Sequence, residues 1–105
     1  MKIIETPIFT RKLKDTLDEG EYRELQNHLI ANPFSGKVIP HSGGLRKLRW
    51  SGSGRGKRGG SRIIYYWYSV KEIILMLLIY PKNIQDDLTS EQLKTLKKLV
   101  EEEIK

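Results

Sequence analysis

Residues 73–80, IILMLLIY, form the longest apolar run in the chain and restrict its fold more than any other stretch. Alternate side chains of a strand point to opposite faces, so a run that is apolar at every position predicts a central strand covered on both sides. Eight residues fall far short of the roughly 20 a membrane span needs, so no membrane association is expected. The preceding RIIYYWYS, residues 62–69, is β-branched and aromatic and predicts a neighbouring strand. LRKLRW, residues 45–50, alternates, which puts Leu45, Lys47 and Arg49 on one face and Arg46, Leu48 and Trp50 on the other.

Helical signals flank these strands. KIIET at 2–6 is a short strand ended by Pro7, after which Phe9, Leu13 and Leu17 recur at spacing four. Asp18 and Glu21 have the spacing of a capping box, and Tyr22, Leu25 and Leu29 follow at helical spacing until Pro33 stops the helix near Asn32. Thr89 and Gln92 have the same capping form ahead of the stripe Leu93, Leu96, Val100 and Ile104, with Asp86 and Asp87 assigned to a turn and helix cap. The expected order is β-α-α-β-β-β-α. One small α+β domain over residues 1–105 is predicted, with a central, mostly antiparallel sheet and the helices packed on one face. With no cysteine, and His28 and His41 far apart in sequence, no disulfide, metal site or cofactor is expected. The N-terminus has no long apolar core, so a cytoplasmic location is expected.

The net charge of +6 is unevenly distributed. Residues 41–82 carry nine basic groups against one acid, Glu72, while the segments on either side are neutral or acidic. Such segregation is the footprint of a polyanion site, set against the plainer alternative of a solvated basic face. Between two of the strands lies GSGRGKRGGS, residues 52–61, with Arg55, Lys57 and Arg58. Gly54, Gly56 and Gly59 match a dinucleotide fingerprint in spacing only, since strand formers follow where a helix should begin. A Walker loop also fails, because Arg58 follows Lys57 where Ser or Thr belongs.

Glu72 alone cannot support a two-metal nuclease, and the histidines do not suggest a Ser-His-Asp triad. What the residue types allow is metal-free chemistry on RNA, which carries its own nucleophile in the 2′-hydroxyl. A base must take that proton, cations must stabilise the transition state, and an acid must protonate the departing 5′-oxygen. Arginine suits the middle task, since its planar fork pairs with two phosphate oxygens. Lysine could carry the proton if neighbouring cations crowd it, as Arg46 and Arg49 crowd Lys47 in sequence.

GGLRKLRW at 43–50, GKRGGSRIIYY at 56–66 and Tyr80-Pro81-Lys82-Asn83 ahead of Asp87-Leu88 together resemble the RelE/ParE toxin superfamily, closest to its HigB-like branch. The resemblance covers nearly the whole chain. It implies a RelE-like fold and the toxin of a type II toxin–antitoxin pair, which enters the ribosomal A site and cleaves translated mRNA. It also implies a cognate HigA-like antitoxin of helix-turn-helix type, with operator DNA contacted only through that partner. Carried onto this sequence, the catalytic cations would be Lys47, Arg49, Arg62 and Lys82. Arg46, Arg55, Lys57, Arg58 and Tyr80 would hold mRNA or ribosomal RNA. The sequence departs from RelE in having Leu88 where RelE carries a base-stacking aromatic. The superfamily also contains ParE-like gyrase inhibitors, and a non-catalytic RNA-binding relative would share every basic residue.

Overall fold

The computed structural model describes residues 1–51 and 60–104. Its elements are β1 (Lys2–Glu5), α1 (Pro7–Thr16), α2 (Glu19–Ala31), β2 (Lys37–Val38), β3 (Arg46–Trp50), β4 (Ser61–Tyr68), β5 (Ile73–Pro81) and α3 (Ser90–Ile104). They form a five-stranded sheet in the order β1-β5-β4-β3-β2, parallel between β1 and β5 and antiparallel elsewhere. The apolar run is β5, interior to the sheet and buried from Ile74 through Tyr80. The α+β class, the mostly antiparallel sheet and the order of elements are those expected, with the two-residue β2 added.

Helix ends follow local chemistry. Asp18 accepts from the Glu21 amide at 2.8 Å and Glu21 accepts in return from the Asp18 amide at 3.0 Å, so the first capping box forms as its spacing implies. α2 ends at the C-cap Asn32, one residue before Pro33. Pro7 does more than end β1: it occupies the first turn of α1, where its missing N–H has no partner to lose.

Side-chain alternation divides the core in two. Leu48, Ile63, Tyr65, Ile74, Met76 and Ile79 face α1 and α2, burying Phe9, Leu17, Leu25 and Leu29. Leu45, Ile64, Leu75, Leu77, Leu78 and Tyr80 face the other way and bury Leu96 and Val100 of α3. The helices therefore lie on both faces, not on one. Both faces of β4 and β5 are apolar, so a helix on one side alone would leave the other side wet.

A β-bulge marks the middle of β5. Ile64 pairs with Leu78 but Tyr65 with Met76, so Leu77 is the extra residue and shares the α3 side with Leu78. The Thr6 hydroxyl donates to the Leu77 carbonyl at 2.9 Å, and its Oγ1 accepts from the Phe9 amide at 3.1 Å, capping α1. One threonine thus fixes the start of α1 against β5 where β1 has run out.

Tyr65 is fully buried, and its hydroxyl donates to the Pro33 carbonyl at 2.7 Å while accepting from the Gly36 amide at 2.9 Å. Tyr65→Phe removes both partners at once and strands buried backbone groups. It should cost about 1–3 kcal/mol in chemical denaturation, since the apolar ring packing is retained and only the polar pairing is lost.

Candidate RNA-binding and catalytic site

Strand register assembles the cations. Arg49 lies opposite Arg62 and Lys47 opposite Ile64 across β3 and β4, and Arg62 lies opposite Tyr80 across β4 and β5. Directly opposed residues share a face, so Lys47, Arg49, Arg62 and Tyr80 lie on one surface, the face on which α3 also packs. Glu72, the acid of the basic segment, stands in the turn at the opposite end of the β4–β5 hairpin. It does not reach the cluster.

Two other acids do. Arg62, whose side chain is only 5% exposed, donates its Nε–H to Asp86 Oδ1 at 2.9 Å. Lys47 donates its ammonium to Asp87 Oδ1 at 2.5 Å and lies 3.5 Å from the Asp86 carbonyl oxygen. Both aspartates lie in the bend between β5 and α3, in keeping with the turn assigned to them, but the helix-cap assignment is corrected. Thr89 and Gln92 cap α3 between themselves: the Gln92 amide donates to Thr89 Oγ1 at 3.1 Å and the Thr89 amide to Gln92 Oε1 at 3.0 Å. That leaves both aspartates available to the cations. The cations of residues 41–82, which face one acid within their own segment, thus take acidic partners from beyond it. The Lys47–Asp87 pair has a largely solvated carboxylate and contributes at most about 1 kcal/mol.

The hydrogen bond from Arg62 holds the Asp86 carboxyl below the usual aspartate range against an opposing effect of burial, and the charges of Arg62, Lys47 and Arg49 add to the lowering. A folded-state value that is lowered stabilises the protein above the ordinary aspartate range, and this is lost as pH falls through the lowered value. A carboxyl-carbon NMR titration should show Asp86 ionised well below about pH 3.9, the ordinary value, and Arg62→Ala should return it to that range.

Tyr80 is buried, and its hydroxyl donates to the Asp86 carbonyl at 3.0 Å. Burial, aided by the Asp87 charge and opposed by Arg62, pushes its phenol up to about 12, so it stays protonated at neutral pH and acts as a donor. Its ring supports the 84–87 segment from below; stacking on a base would first require that segment to move.

The remaining sequence-derived residues scatter. Lys82 is exposed just beyond β5, tied by its amide to the Gly60 carbonyl at 3.1 Å. Neither its side chain nor that of exposed Arg49 has a hydrogen bond or ion pair among the described residues. Arg46 is on the opposite face, donating to the carbonyls of Gly36 at 2.8 Å and Phe34 at 3.3 Å with its guanidinium 5.2 Å from the Phe34 ring centre. It buttresses the turn before β2 and does not join the cluster, so Lys47 is not crowded by Arg46 as its sequence position implied. Arg55, Lys57 and Arg58 lie outside the described residues.

Beside the cluster runs an open groove of about 440 Å³, bounded by the Ser35–Pro40 segment and by Lys47, Arg49 and Asp87. Its size suits a small ligand or one unit of a polymer. Among the described residues no group of three or more His, Asp or Glu could hold a metal ion, and no helix is long and apolar enough to cross a membrane.

No protein-family model matches the sequence. Among solved structures, the chain is similar to an arginine-to-alanine double mutant of E. coli toxin RelE in the free state, with a TM-score of 0.61 and 12% sequence identity over 93% of this chain and 95% of that one. At that identity the likeness speaks for backbone architecture, which it covers almost end to end. The chain has a RelE-like fold.

Proposed function

We propose that this protein is the toxin of a type II toxin–antitoxin pair and acts as a ribosome-dependent mRNA endoribonuclease of the HigB-like branch. The observation that carries the reading is the register that opposes Arg49 to Arg62 and sets Lys47 on the same face. Three cations from two strands converge there, on a fold shared with a protein described as a toxin. Rigid strands suit such a site, because fixed donors aimed at a phosphate need not reorganise as charge develops.

In this mechanism the deprotonated, neutral form of Lys47 or Arg49 takes the proton of the 2′-hydroxyl, whose oxygen attacks the adjacent phosphorus. The bond to the 5′-oxygen breaks, leaving a 2′,3′-cyclic phosphate, and Lys82 supplies the proton for the departing oxygen. Arg62 pairs with the non-bridging oxygens and stabilises their charge. Arg55, Lys57 and Arg58, which lie outside the described residues, would add phosphate contacts that raise affinity without chemistry. A HigA-like antitoxin would mask this surface and alone contact operator DNA, in the cytoplasm where both message and ribosome are found.

Mapping mRNA 5′ ends in cells that express the chain tests the proposal. Discrete cuts inside translated codons are expected. Altered plasmid supercoiling without such cuts would instead select a ParE-like gyrase inhibitor, and ribosome association without either would select a non-catalytic RNA-binding protein.

A further inference from the structure

We propose that Asp86 and Asp87 occupy the anion positions of this site, so that RNA enters by exchanging with the segment Asn83–Asp87 and not by filling a vacant cleft. The inference rests on the reading of the cluster as a phosphate site and adds how that site is kept closed.

The geometry is that of a bound anion. A carboxylate oxygen 2.9 Å from Arg62 Nε is where a phosphate oxygen would sit in a charge-assisted pair, and Asp87 makes the matching contact with Lys47. A phosphate cannot take either contact while the aspartate holds it. The two carboxylates come from adjacent residues, so a shift of this one segment withdraws both. Held side by side they repel, and they are tolerated because Arg62 of β4 and Lys47 and Arg49 of β3 face them, with the neutral Tyr80 hydroxyl of β5 on the Asp86 carbonyl.

The segment is also built to move. Before it, the Lys82 amide is fixed to Gly60; after it, the Thr89–Gln92 box fixes α3. Between these anchors the Ile84 amide donates to the Pro81 carbonyl at 3.2 Å and the Gln85 side chain to the Asp87 carbonyl at 2.9 Å, while Asn83, Ile84, Asp86 and Asp87 are exposed. Swinging it away breaks the Tyr80 hydroxyl bond to the Asp86 carbonyl and the Gln85–Gln92 side-chain pair, and incoming phosphates replace the two ion pairs it gives up.

The test uses the full chain and a labelled single-stranded 2′-O-methyl oligonucleotide of about ten nucleotides, which no 2′-hydroxyl attack can cut. Fluorescence anisotropy compares the native protein with Asp86→Asn, Asp87→Asn, the double variant and Asp15→Asn, which removes an equal charge from an exposed position on α1. About threefold tighter binding is expected for each single site variant and about tenfold for the double, against less than about twofold for Asp15→Asn. Hydrogen exchange of the native protein supplies a second readout that needs no substitution: amides of residues 83–87 should exchange faster once the oligonucleotide is bound. If the native chain binds but the site variants bind no tighter than Asp15→Asn and exchange at 83–87 slows, the exchange mechanism is overturned while the phosphate site stands. If neither the native chain nor any variant binds, both ideas fall.

Discussion

Arg62→Ala is expected to lower mRNA cleavage by roughly 10²–10³-fold, the loss that follows removal of one preorganised donor to a developing oxyanion. The side chain is almost wholly buried where β4 begins, its Nε is fixed by Asp86, and strand pairing holds its backbone between Arg49 and Tyr80. Truncation frees Asp86 into water, which suits an exposed carboxylate, so circular dichroism and ribosome co-sedimentation should remain close to native. Primer extension across a translated message then reads the chemical step. Arg62→Lys should not restore it, because a point charge cannot present two parallel donors to a phosphate. Discrete cuts at undiminished rate in Arg62→Ala would remove this residue from the mechanism.

Gly60→Ala should be among the most damaging small substitutions in the chain. Gly60 has φ +63, and a Cβ there would lie 2.4 Å from the Trp50 carbonyl oxygen and 3.0 Å from Ser51 Cα, both backbone atoms that cannot turn aside. Its own carbonyl receives the Lys82 amide, so the residue joins the exit of β3, the entry of β4 and the end of β5 two positions from Arg62. Left-handed strain and the clash together should lower stability by at least about 2 kcal/mol, or roughly 10 °C in Tm. Cleavage should fall with it as the strands splay. Gly60→Asn separates the two causes: asparagine tolerates the backbone angle but keeps the Cβ, so an unchanged Tm would mean that the clash relaxes. Gly20→Ala is the contrast, since a Cβ there meets only Asp18 Oδ1 at 3.5 Å inside a helix, and a gain of about 0.4–1 kcal/mol is expected.

The fold was largely legible in the sequence because its signals are local. Both capping boxes rest on residues three apart, the stop before Pro33 on steric exclusion, and the buried strand on a run with no polar position. The helix α3 was placed correctly along the chain but not in space, since no local signal says which side of an apolar sheet a terminal helix will cover. The site was legible to the extent that alternation reveals it. LRKLRW already separates Arg46 from Lys47 and Arg49, and the structure keeps that separation, leaving Arg46 to hold the Phe34–Gly36 turn. The roles of Asp86 and Asp87 were not legible, because they depend on contacts across 24 and 40 residues. One hint was present: Thr89 and Gln92 already satisfied the start of α3, so two neighbouring acids a few residues after Lys82 were surplus to that purpose.

The Thr6 bridge to the Leu77 bulge has a bearing on how the protein behaves when made in quantity. It lays α1 along the half of β5 that β1 does not reach, so the nine-residue apolar strand never forms a rim of the sheet. The outermost strands are β1, with four residues, and β2, with two, and Lys2 and Lys37 stand on them. A neighbouring molecule meets a ladder too short and too charged to extend, so despite its most insoluble segment the chain should resist fibrous self-association while folded and yield to it once α1 detaches.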